Sequence, residues 1–356
     1  FIYTTAYGQE AYFTSSPSLS PDGSKIVFAY DADLWVVSSK GGEAMRLTAM
    51  EGNESFPRIS PDGKWVAFTS EVMGNADLYL MPLAGGEIKR MTYHSANDRT
   101  ETWSWDSQTI YFRSNRENRL TSYHVNIDGG TPKRLVEHFF NWPHNLAIHP
   151  DGRIFFNESW ESSNQVNRKR YKGSFNPDLK TYDPKRDEYK QVTDYEGKDM
   201  WSTISKNGNI YFSSDEANGQ YNLYGFVDDQ KTQLTNFQTS IRDPQVSADG
   251  SLIVFEKDYQ LFTYDPVKKQ SKKVNITVLN HSTLAAEKEF KTKGNVTYFD
   301  ISPDQKKISF VSRGRLFVSD ISGKFIKELP TNNAERVTEV KWLKDNETLL
   351  FTQTIN

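Results

Sequence analysis

Ser20-Pro21-Asp22-Gly23 and Ser60-Pro61-Asp62-Gly63 are two copies of one four-residue turn. Degenerate copies follow at His149-Pro150-Asp151-Gly152, Ser247-Ala248-Asp249-Gly250 and Ser302-Pro303-Asp304-Gln305. Weaker ones sit at Ser104-Trp105-Asp106-Ser107, Ser205-Lys206-Asn207-Gly208 and Leu343-Lys344-Asp345-Asn346. Counted at the Asp position, successive copies are 40, 44, 45, 56, 42, 55 and 41 residues apart. Proline fixes φ, aspartate bonds its own backbone and glycine accepts positive φ, so each copy predicts a tight turn between strands.

The residues around each turn repeat as well. An alternating apolar strand follows it, as in Lys25-Ile26-Val27-Phe28 and Trp65-Val66-Ala67-Phe68. A third strand reads Asp33-Leu34-Trp35-Val36, Asp77-Leu78-Tyr79-Leu80, Asn222-Leu223-Tyr224 or Gln260-Leu261-Phe262. A Gly-Gly turn (Gly41-Gly42, Gly85-Gly86, Gly129-Gly130) then leads to a fourth strand ending in Arg46-Leu47-Thr48, Arg90-Met91-Thr92, Arg134-Leu135 or Gln233-Leu234-Thr235. Four strands per repeat at this period predict an all-β chain of β-propeller blades, which leaves only short sheet edges exposed.

Six full blades are expected over residues 9–280, with blade four carrying an insertion from Trp160 to Pro177. The stretch Leu279 to Glu287 reads as a linker, and residues 281–356 as the first blades of a second propeller, broken off after Phe351-Thr352-Gln353. A break there leaves an unpaired edge, so Asn356 reads as a fragment boundary. The competing expectation is a single seven- or eight-bladed ring.

Composition agrees with many short, half-exposed strands: aromatic content is 13 % and mean hydropathy −0.69. A net charge of −3 favours neither nucleic acid nor an acidic membrane surface, and no stretch has the length of a membrane span. Cysteine is absent, which excludes disulfides, thiolate metal sites and a cysteine nucleophile. Phe1 to Gly8 opens apolar and places Ala6 and Gly8 two apart before Gln9, as the tail of a secretory signal peptide would. The expected location is therefore extracytoplasmic, periplasmic or secreted.

These repeats resemble the propellers of tricorn-type serine peptidases and, more loosely, those of TolB. Three stretches carry the closer resemblance: Thr92-Tyr93-His94-Ser95-Ala96-Asn97-Asp98, Lys169-Arg170-Tyr171-Lys172-Gly173, and Asn295-Val296-Thr297 through Arg313-Gly314-Arg315-Leu316-Phe317-Val318. The resemblance implies a six-bladed ring followed by a second ring, with PDZ-like and peptidase domains further on. That family's catalytic residues lie in those later domains, so none falls on a position of this chain.

No Gly-x-Ser-x-Gly elbow, His-Glu-x-x-His, phosphate loop or dinucleotide fingerprint is present. Neither a metal nor a cofactor is expected. His94, Ser95 and Asp98 are the residue types of a catalytic triad, but they crowd one loop, where a base cannot be oriented from behind. His144 and His149 lack further ligands nearby, and Asp22, Asp62, Asp151 and Asp249 read as turn formers. The suggestive feature is basic. Arg168, Lys169, Arg170 and Lys172 cluster in the blade-four insertion, and Arg113, Arg116 and Arg119 in the blade-three loop. Arginine forks grip carboxylates bidentately, so these seven are the candidate contacts for a peptide carboxylate. The expected partners are peptides or a protein, other domains of the same polypeptide, and further copies in a homo-oligomer.

Overall fold

The computed structural model describes residues 9–279 and 294–354, apart from 118, 137, 139, 140, 170, 333 and 334. Phe1 to Gly8, and all of the expected linker except Leu279, lie outside the described residues. The chain divides into two compact units, residues 1–280 and 281–356.

Each turn is held by the bonds its residues dictate. The Ser20 hydroxyl donates to Asp22 Oδ1 (2.6 Å), which also accepts the Ser24 N–H (3.0 Å), while Ser20 Oγ accepts the Lys25 N–H (2.9 Å). The same three bonds recur at Ser60/Asp62, Ser247/Asp249 and Ser302/Asp304. The Ser20 hydroxyl, helped by the Ser24 donors, holds the Asp22 carboxyl down at about 2. The other two motifs explain one another. Thr48 Oγ1 accepts the Leu34 N–H (2.8 Å) and Arg46 pairs with Asp33 (2.5 Å), closing the third strand onto the fourth. Thr92 with Leu78 and Arg90 with Asp77 do the same one repeat later.

Among the described residues the first unit holds six sheets, each of four consecutive antiparallel strands, at residues 15–46, 54–90, 98–134, 144–191, 199–233 and 241–273. The innermost strand of each packs beside that of the next, and the sixth sheet packs on the first. This is a β-propeller. A recurrent stitch joins neighbours: Ser18 Oγ accepts the Ile59 N–H (2.9 Å) and Thr203 Oγ1 the Val246 N–H (3.0 Å). The core lies between the sheets, as where Leu19, Ile26 and Phe28 of the first meet Val254 and Leu261 of the sixth.

The repeat grammar does not foresee how the sixth sheet is tied to the first. Ile276–Val278 leaves sheet six and pairs parallel to Gly42–Arg46, the outermost strand of sheet one; Gln9–Glu10 then pairs antiparallel outside it. This two-strand clasp is reinforced by Lys273 on Glu10 (2.6 Å). Gly41 permits the approach: its φ is +91°, and a Cβ there would lie 2.7 Å from the Asn275 carbonyl oxygen.

The second unit repeats the pattern with one four-stranded sheet over residues 296–328 and a two-stranded sheet over 337–353, around Val311, Leu316, Val337 and Val340. Asp300 there accepts the Trp342 N–H (2.7 Å), the same stitch as Ser18 with Ile59.

Candidate functional site

The innermost strands of the first unit share a bulge. Their register shifts just before the turn, and Ser16, Phe56, Asn145, Trp201 and Asp243 have φ between +44° and +55°, each four residues ahead of its turn's first residue. A bulge turns extra side chains out of the alternation, here around the axis of the propeller.

Arg58 spans that axis. Its Nη2 donates to both oxygens of Asp243 in sheet six (2.9 and 3.0 Å), its Nε to the Glu101 carbonyl of sheet three (2.9 Å), and its Nη1 to the Pro57 carbonyl (3.0 Å). The Arg58 side chain is 8 % exposed. It lines two pockets that share Leu146, Ser202 and Gln245. One also carries Leu19, Trp103 and Ala248; the other carries Arg99, Glu101, Trp201 and Asp243.

Titratable groups gather around Arg99. Burial pushes the Glu101 carboxyl up, against the pull of Arg113 and of the Ser122 hydroxyl (2.7 Å) and Asn145 N–H (2.7 Å) that it accepts. Burial, with Asp243 adding to it, raises Glu256 to about 7, although Glu256 accepts the Ser16 N–H at 2.6 Å. Burial holds His144 down at about 3. Its Nδ1 meets the Trp142 carbonyl (3.1 Å) and its Nε2 the Ser162 hydroxyl (2.8 Å), which assigns the proton to Nδ1. His144 and Ser162 are both buried, so this Ser–His pair fastens the insertion and faces no substrate.

The insertion begins with a short helix, Trp160–Asn164, capped by the Ser159 hydroxyl. It is anchored by a buried pair: Lys198 Nζ lies 2.8 Å from Glu161 Oε2, both side chains 1 % exposed, and donates to the Gln165 carbonyl (2.7 Å). Beyond the anchor, Asn167 and Lys169 line a cavity with Phe13, Tyr221, Arg242 and Glu256.

The seven candidate cations divide by their partners. Arg116 forks onto Asp98 (2.9 and 2.8 Å), Arg168 pairs with Glu161 (2.6 Å) and stacks on Tyr171, and Lys172 lies 3.3 Å from Glu196. Lys169 donates to Gln220 (2.7 Å). Arg113 stands directly across the sheet from Arg99 and has no acceptor among the described residues. Arg119 is placed by its backbone alone, in the strand Arg119–Asn126, and Arg170 lies outside the described residues. The His94 and Asp98 side chains serve the loop: His94 Nδ1 accepts the Ala96 N–H and Asp98 is held by Arg116. Among the described residues no group of three or more His, Asp or Glu could hold a metal ion.

Residues 11–270 match the family described as the tricorn protease N-terminal beta propeller domain. The chain belongs to that family. The crystal structure of the tricorn protease superposes with a TM-score of 0.66 at 22 % identity, covering 93 % of this chain and 32 % of the other. The chain thus spans about a third of the length of that tricorn protease chain. A putative TolB from Agrobacterium tumefaciens follows the same fold with a TM-score of 0.54 at 20 % identity, over 67 % of this chain and 87 % of its own. TolB from Acinetobacter baumannii does so with 0.50 at 22 %, over 65 % and 56 %. No helix among the described residues is long and apolar enough to cross a membrane.

Within this tricorn-type propeller the axial residues Arg58, Arg99, Arg242, Asp243 and Glu256 escape a reading by clusters, because they are spread over four strands. A signal exists nonetheless. Arg58 lies two residues before its turn and Asp243 four, positions that the repeat aims at the axis.

Proposed function

We propose that this chain is a non-catalytic propeller module of a tricorn-like serine peptidase acting outside the cytoplasm, which scaffolds the enzyme and gates peptide access to a catalytic domain elsewhere in the polypeptide. The observation that carries the reading is the family match over residues 11–270. The axial channel supports gating. The Arg58–Asp243 pair joins sheets two and six near the axis, so passage there would be selected by width and charge. Residues 281–356, with the same turn and stitch, are read as the opening blades of a second propeller. Lys169 and Arg113, the two described candidates without an acidic ion-pair partner among the described residues, are the contacts this reading keeps for a peptide carboxylate. Its partners are peptides, the other domains of the polypeptide and, in an assembly, further copies of the chain.

The test is the intact mass and N-terminal residue of the natural protein. A mass well above 40.9 kDa with a start near Gln9 is expected. A mass matching this chain overturns the peptidase reading and leaves a free-standing TolB-like propeller that docks a protein partner.

A further inference from the structure

The acids around the axis each hold a hydrogen-bond partner: Asp243 has Arg58 and Gln245, Glu101 has Ser122 and the Asn145 N–H, and Glu256 Oε1 has the Ser16 N–H. Arg99 and Arg113 are the opposite case. They are direct cross-strand partners on the two inner strands of sheet three, which sets their Cβ atoms about 5 Å apart. Neither has a hydrogen-bond or ion-pair partner among the described residues. The Arg99 guanidinium instead lies on the Phe56 ring, 3.4 Å from its centroid. Burial draws both below the usual arginine range, Arg99 to about 9 with the Arg113 charge adding to the effect, although Asp243 and Glu101 pull both the other way. Like charges directly opposite on a sheet destabilise it, and a half-buried guanidinium without an acceptor gives up hydration that no hydrogen bond of the chain replaces. An acceptor from outside the chain removes both costs.

We propose that Arg99 and Arg113 form an oxyanion site, taking a carboxylate or phosphate group between their two guanidinium forks. Two forks supply up to four parallel donors, which suits a carboxylate or a phosphate better than a neutral amide and offers nothing to an ammonium group. The Phe56 face fixes the plane of one fork, and Arg99 lines the same pocket as Arg58 and Asp243, so the anion would sit beside that ion pair. The site stands whether or not a peptidase domain follows; the gating reading bears only on a peptide as the source of the carboxylate.

The test is calorimetric titration of the 356-residue chain with inorganic phosphate, with a short peptide carrying a free C-terminal carboxylate, and with the same peptide amidated. The variants are Arg99→Gln and Arg113→Gln, with Arg153→Gln as a control, an exposed arginine paired with Asp151. Saturable binding is expected, unchanged in Arg153→Gln and weakened about tenfold or more by either axial substitution. Preference for phosphate assigns a free anion, and preference for the acid over the amide assigns a chain end; both support the site. Absence of saturable binding by phosphate and by the acid peptide overturns it, as does binding that the two substitutions leave intact. Melting curves keep the test independent of folding. In chloride alone the axial variants should melt no lower than the parent, and phosphate should raise the melting temperature of the parent only. Variants that melt lower yet keep the phosphate shift overturn the proposal.

Discussion

Leu19 and Ile301 hold the same place in their repeats, one residue before the serine that opens the turn, yet Leu19 is 6 % exposed and Ile301 43 %. Around them the local chemistry is shared. Both turns carry the Ser–Asp bonds, and both innermost strands stitch to the next sheet through an equivalent residue, Ser18 or Asp300. The difference lies on the other face. Leu19 is covered by Val254 and Leu261 of the sixth sheet, whereas the strand Val296–Ile301 has a neighbour on one side only among the described residues. Local bonds make a blade, and burial comes from having a blade on each side. Stability in such a repeat is close to a sum of repeat and nearest-neighbour contributions.

The sharpest way to break this comparison is a matched truncation. Leu19→Ala should cost about 2–5 kcal/mol, and Ile301→Ala within about 0.5 kcal/mol, in urea unfolding followed separately for each unit. Equal costs would mean that the face carrying Ile301 is covered in solution. The next effect is in pH. Glu256, raised to about 7 from 4.5, contributes stability that is fully present below its unfolded value and lost as pH rises through 7. The displaced carboxyls of the second unit run the other way. Asp304, Asp320 and Asp345 are lowered by hydroxyl and N–H donors, and Asp300 is lowered in spite of slight burial by the Trp342 N–H and Lys341. Their contribution is present above the unfolded carboxylate range and lost as pH falls. Between about pH 5 and about pH 8 the first unit of Glu256→Gln should therefore lose less stability than that of the parent, with the second unit unmoved. A parallel decline in both proteins would place the titration elsewhere. The smallest effect tests what the units share. Asp22→Ala and Asp304→Ala should each cost about 1 kcal/mol, because both cut the bonds from the turn serine's hydroxyl and from the N–H two residues on, and a marked inequality would show that neighbours reach into the turn.

The blades were legible because their signal is local: Pro-Asp-Gly, Asp-Leu-Trp and Arg-Leu-Thr each bond within one repeat. The axial site was legible only in Arg113. Arg58 meets Asp243 across 185 positions, and no short-range pattern records that approach. The basic insertion stood out as a run of charge, but charge runs say nothing about pairing, and Arg168 and Lys172 prove to be matched with Glu161 and Glu196. The clasp was invisible for a further reason. Ile276-Thr277-Val278 has the composition of any strand, and which sheet receives it is decided by space beside Gly41.

That clasp gives the propeller a seam. Nearly every strand pairing joins residues close in sequence, so each blade can zip up alone and early, whereas the bond from Ser16 to Glu256 spans 240 positions and that from Lys273 to Glu10 spans 263. Closing a loop of that length is the costliest encounter the chain has to make, and it comes after the blades exist to support it. The circle should therefore be the last thing to form and, pulled from its ends, the first to part, unbuckling at one join while the blades on either side stay whole.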